Sequence, residues 1–155
     1  MDIHLLAELR DSLRARDLPR LRRLVRNWPA SNLARILARL DDEDQAIAFR
    51  VLPRERAAQA FAYLDLQQQE RLLKNLAQEE VAGLLNALAD DDRTTLFEEL
   101  PAAATKRLLE VLDEKERRSA LQLLGYPAGS VGRLMTPHYI AVRSDWTPSK
   151  MGCFY

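Results

Sequence analysis

The groups best equipped for chemistry in this chain are carboxylates. They come in three clusters: Asp41-Asp42-Glu43-Asp44, Asp90-Asp91-Asp92, and Asp113-Glu114 with Glu116. Dense carboxylate oxygens suit a hard divalent cation. Each cluster also falls where a helix is expected to start, and acids there stabilise the helix dipole by about 0.3–1 kcal/mol each. A single carboxylate on a solvated surface holds such a cation weakly. Nothing points to catalysis. His4 and His138 are far apart in sequence, and His138 beside Pro137 reads as a surface residue. No glycine-rich phosphate loop precedes a helix, and no His/Cys metal spacing or Ser-His-Asp set is present. The single cysteine, Cys153, excludes an internal disulfide and suits a reducing compartment.

Arginine is the other conspicuous type. Residues 1–39 hold nine arginines against four acids, whereas the formal net charge of the whole chain is zero. Arg10, Arg14, Arg16, Arg20, Arg22, Arg23 and Arg26 lie on the polar side of the first two expected helices. With no interleaved aromatic residue or known reader motif they do not read as a nucleic-acid patch, so no nucleic-acid partner is expected. A solvated face is the plain reading, and contact with an acidic partner surface or anionic lipid head groups is the functional one.

The elements that position these groups follow from a repeat of 24 residues between Leu33 and Gly125. Leu40, Leu64, Leu88 and Leu112 share one phase, and Leu52, Leu76, Leu100 and Leu124 another. Leu37, Phe61, Leu85 and Leu109 share a third; Phe49, Leu73, Phe97 and Leu121 share a fourth. Leu52-Pro53 returns as Leu100-Pro101. Such a period marks a stack of units that cannot bury their own apolar faces alone. The expected fold is all-α: a right- or left-curling superhelix of about ten short helices, paired as 24-residue hairpins, with a short extended C-terminal tail. The Leu and Phe stripes are core rather than a ligand box. Helices this short are marginal alone, so stacking must hold them.

In chain order, residues 3–15 read as a helix, then Asp17 caps a second that carries Pro19 in its first turn and runs to about Asn27. Ser31 or Asn32 is expected to cap the third, and Pro53 to occupy the first position of its helix. Asp65-x-x-Gln68 and Asp113-x-x-Glu116 read as capping boxes. Ala57, Ala58, Ala60, Ala82, Gly83, Ala102, Ala103 and Ala104 would allow close helix approach. Gly125 suits the end of the last repeat helix. Residues 126–133 read as a linker, and Tyr139-Ile140-Ala141-Val142 as a short strand. No uninterrupted apolar run is long enough to span a membrane, and MDIHLLAELRDSL has no secretory h-region.

Gly132-Arg133-Leu134-Met135-Thr136-Pro137, an extended segment, and then Asp145-Trp146-Thr147 resemble the start of a CBS domain pair. Together with the Leu-Pro-punctuated helical repeat, they make the chain resemble the cytosolic N-terminal region of the MgtE family of magnesium transporters and channels. The resemblance covers residues 1 to 147. It implies an N domain over 1–125, a linker over 126–133 and a truncated start of a CBS domain over 134–155. It also implies a Mg²⁺ sensor on the cytoplasmic face of the inner membrane. There Mg²⁺ between the N and CBS domains closes the transmembrane pore of the same protein, which is a homodimer. In this chain alone Mg²⁺ binding would be weak or absent and the fragment monomeric.

Among the family's ligands, the acid at the start of the helix after Leu88 matches Asp91, flanked by Asp90 and Asp92, and a backbone carbonyl before Leu-Met-Thr-Pro matches Arg133. Two further acids of the family fall at Thr95 and Gln59, which are departures. The stack of short helices also resembles flagellar motor switch proteins, which implies an interaction scaffold whose acids are only caps.

Overall fold

The computed structural model describes residues 2–26 and 28–135. Within them lie eleven helices and no strand: α1 Asp2–Arg14, α2 Leu18–Val25, α3 Ala30–Leu37, α4 Asp42–Val51, α5 Arg54–Ala62, α6 Leu66–Asn75, α7 Gln78–Ala87, α8 Asp90–Glu99, α9 Ala102–Val111, α10 Glu114–Leu124 and α11 Val131–Leu134. The expected strand at 139–142 lies outside the described residues. None of the described helices is long and apolar enough to cross a membrane.

The repeat is visible in the helix starts. From α3 to α10 the N-cap residues are Pro29, Asp41, Pro53, Asp65, Ala77, Ala89, Pro101 and Asp113, one every twelve residues. The prolines stand just outside their helices, not at the first helical position. Pro29, Pro53 and Pro101 keep φ near −55° with ψ of 143°, 141° and 141°. Their fixed φ suits both places, and their carbonyls accept the first helical bonds, as from Ala57 N to Pro53 O at 2.9 Å. Pro29 therefore takes the place expected of Ser31 or Asn32, which lie inside α3.

Asp17, Asp41 and Asp65 cap with their side chains, and Asp65 with Gln68 forms the expected reciprocal box. Gly125 ends α10 in a right-handed conformation at φ −71°. Among the described residues the positive-φ glycine is Gly129, at φ 75° in the turn that follows.

Helices α3, α5, α7 and α9 pack in one row, each on the next. On the other side α4 packs on α6 and α8 on α10, while α1 and α2 close the N-terminal end against α4. Leu37, Phe61 and Leu85, at one phase of the repeat, are fully buried between the rows. Each such side chain contributes about 1.5–3 kcal/mol. The pattern fades at the last repeat. Leu109 is only partly buried, and Leu121 is 53% exposed where its counterparts Phe49 and Phe97 are core. The small residues divide in the same way. Ala57, Ala58 and Ala60 are buried as α5 packs on its neighbours, but Ala102 and Ala103 are exposed and promote no close approach.

Candidate functional site

Helix α8 carries the central acids in its first turn, beginning at an N-cap, Ala89, that offers no side-chain bond. The carboxylates diverge. Asp90 turns inward: its Oδ1 accepts from Arg93 Nη2 at 2.5 Å and from Ser119 Oγ of α10 at 2.8 Å. Asp91 is exposed, and it lines a shallow depression with Ala89, Asp90, Leu134 and Met135, where α11 lies against α8. Asp92 opens on a different cleft, shared with Asp65, Gln69, Thr95 and Glu99. Loss of solvent against those walls, with the neighbouring Asp91 charge, raises its carboxyl above the usual aspartate range.

The organising residue is Arg93, whose side chain is fully buried. Its Nη1 donates to Leu85 O at 3.0 Å, and its Nη2 bridges Asp90 and, at 2.6 Å, Glu116 Oε2 of α10. Glu116 is thus withdrawn from the expected capping box, and Asp113 makes no side-chain cap. A buried guanidinium needs a second counter-charge more than an exposed helix end needs its cap. The N–H of Asp113 donates instead to Asn86 Oδ1 at 3.0 Å.

Arg93 was not singled out by its sequence neighbourhood, but the repeat contains the signal. Gln45, Gln69 and Arg93 stand four residues after every second cap, Asp41, Asp65 and Ala89. Each reaches back to a carbonyl at the end of the preceding helix: Gln45 Nε2 to Leu37 O at 3.2 Å, Gln69 Nε2 to Phe61 O at 3.0 Å, and Arg93 to Leu85 O. Those carbonyls belong to the fully buried Leu37–Phe61–Leu85 phase, and each also accepts a backbone N–H, from Leu40 at 3.1 Å, Leu64 at 3.0 Å and Leu88 at 3.3 Å, so the side chain fills the second lone pair.

The segment expected to be a linker ends in the short helix α11, packed on α8 and α10. Arg133 ties it down: its Nε donates to Tyr126 O at 2.6 Å and its guanidinium pairs with Glu98 of α8. Gly132 is needed there, because a Cβ would stand 2.7 Å from the Tyr126 ring. The structure therefore brings Asp91 to the end of the chain segment that holds Arg133, and separates it from Asp92 and Thr95. Gln59, on α5, accepts from Arg56 Nη1 at 3.2 Å and lines neither of these two hollows. Among the described residues, no three His, Cys, Asp or Glu side chains converge as a metal site.

Residues 28–129 match the model of the MgtE intracellular N domain. The chain belongs to that family. The chain is also similar to solved structures. The cytosolic domain of the Mg²⁺ channel MgtE in complex with ATP is 26% identical, with a TM-score of 0.78 over 88% of this chain and 56% of that one. The soluble part of a magnesium transporter, 19% identical, shares the fold with a TM-score of 0.82 over 98% of this chain and 60% of that one. The chain thus spans little more than half of each. No curated protein sequence matches. Membership places this MgtE domain in a transporter and channel family, not among enzymes, as part of a larger protein with further domains.

Proposed function

We propose that this MgtE N domain is a Mg²⁺-operated gate arm on the cytoplasmic face of the inner membrane. Mg²⁺ held between Asp91 and the CBS domains of the same protein draws the arm in and closes the transmembrane pore. When Mg²⁺ falls, the acidic faces repel and the arm swings away. The full protein works as a homodimer, whereas this chain alone is monomeric and binds Mg²⁺ weakly, because the other half of the site lies on the CBS domains. Family membership favours this reading over the motor-switch scaffold.

The observation that carries it is the division of labour in α8. Asp90 is compensated by Arg93 and Ser119, while Asp91 is exposed beside α11. Asp92 adds to the field from the next cleft, and Arg133 holds α11 in place through Glu98. A hard cation that keeps several waters needs only one or two such carboxylates from each wall. The test is Mg²⁺-dependent channel closure in the full-length protein. Asp91→Ala is expected to need several-fold more Mg²⁺ to close, an effect on the scale of one lost charge-assisted contact. An unchanged closing concentration would remove Asp91 from the sensor.

A further inference from the structure

The acidic end of the stack has a basic counterpart. A cleft of about 650 Å³ lies between α2 and the α4–α5 junction, lined by Arg22, Arg23, Arg26, Arg50 and Arg56 over a floor of Val25, Val51, Leu52 and Pro53. That volume lies within the range of small-ligand sites. No carboxylate is among its lining residues. Arg50 is shared with Glu80 at 2.7 Å. Among the described residues, Arg22, Arg23 and Arg26 make no side-chain hydrogen bond or ion pair. Arg56 is anchored through its two terminal nitrogens to Trp28 O and Gln59, which leaves its buried Nε without a partner.

We infer that this cleft binds a phosphate-bearing anion. Five arginines line one cleft with no carboxylate in its lining, and a cleft of one sign concentrates an ion of the other. Every cation in the lining is arginine, whose planar fork matches phosphate oxygens two at a time. The first turn of α5, which has no side-chain cap, starts at the cleft floor and adds partial positive charge, offset in part by Glu55 of that turn, which does not line the cleft. The apolar floor leaves room for the body of a ligand behind its phosphates. The phosphate can arrive on a soluble polyphosphate or on a phosphorylated lipid head group.

The experiment titrates the 155-residue chain, in Mg²⁺-free buffer, with inorganic tripolyphosphate by calorimetry. In parallel, the chain is sedimented with phosphatidylcholine vesicles that contain a phosphoinositide. Arg22→Gln/Arg26→Gln is compared with Arg20→Gln/Arg39→Gln, which removes the same charge outside the cleft. Saturable binding in either arm is expected to weaken about tenfold or more in the cleft pair, the scale of a lost hydrogen bond to a charged group. The control pair should change it by less than about twofold, because exposed charges beyond the cleft are screened. Tripolyphosphate binding without vesicle binding assigns a soluble ligand, and the reverse assigns the lipid head group. No binding in both arms, or equal loss in the two pairs, overturns the inference. All four arginines are solvent-exposed, so the variants are expected to fold. The outcome is independent of the Mg²⁺ reading.

Discussion

The second and third hairpins of the stack solve one structural problem with different chemistry. In the second, Pro53 and Asp65 cap the two helices and neutral Gln69 ties α6 to the end of α5. In the third, both caps are alanine and Arg93 takes the place of the glutamine. The third hairpin recovers what it lacks from elsewhere. Glu80 reaches back to the Ala77 N–H at 2.8 Å, and the Arg93 charge is met by Asp90 and by Glu116 from the next hairpin. Against a burial that would raise it, that Ala77 hydrogen bond and the Arg50 guanidinium hold the Glu80 carboxyl below its usual value. Substituting a charge for an amide thus recruits acids from two helices, locks α8 to α10, and leaves Asp91 exposed beside α11.

The largest break in this comparison is expected from Arg93→Ala. It strands Asp90 and Glu116, and urea denaturation should show a loss of about 3–5 kcal/mol. Gln69→Ala removes a neutral tie, while Phe61 O keeps the Leu64 N–H at 3.0 Å, for a loss of about 0.5–1.5 kcal/mol. Equal losses would mean that the Arg93 ion pairs contribute nothing beyond the shared carbonyl contact.

The caps give a smaller contrast. Asp65→Ala should cost about 1 kcal/mol, while Asp113→Ala, at a cap that makes no side-chain bond, should cost clearly less. Ala89→Asn should stabilise by a fraction of that amount, read as a rise in thermal midpoint.

The smallest effect is on pH dependence. With its carboxyl raised by desolvation and by Asp91, Asp92 binds a proton more tightly in the folded protein than in the unfolded chain. Its contribution therefore grows as pH falls through its folded titration range and is lost as pH rises above it. Asp92→Asn should flatten that part of a stability–pH curve measured in urea, and should stabilise at neutral pH. An unchanged curve would show that the cleft does not desolvate the group.

The stack itself is legible because leucine and phenylalanine repeat at fixed phases, and burial follows those phases most closely at Leu40, Leu64, Leu88 and Leu112, before fading at Leu109 and Leu121. The Asp65 box was legible because it is local, three residues from cap to partner. The Asp113 box had the same local signature but yielded to Arg93, a partner 23 residues away that no local window contains. Among the candidate site residues, the sequence placed Asp90, Asp91 and Asp92 together in one helix turn. Their divergence depends on what packs against each face of α8, which only the fold supplies. Arg133 was singled out for its backbone carbonyl; its side chain proves to be the clamp between α11 and α8.

The most direct test is protease protection of the full-length protein as Mg²⁺ is raised, with Asp91→Ala and Asp90→Asn side by side. Mg²⁺ is expected to protect the wild type, and Asp91→Ala to need several-fold more, the scale of one charge-assisted contact. Asp90→Asn, whose carboxylate serves Arg93, should keep the wild-type Mg²⁺ midpoint while losing stability. A shifted midpoint in Asp90→Asn with none in Asp91→Ala, or no Mg²⁺ protection at all, would contradict the gate-arm reading.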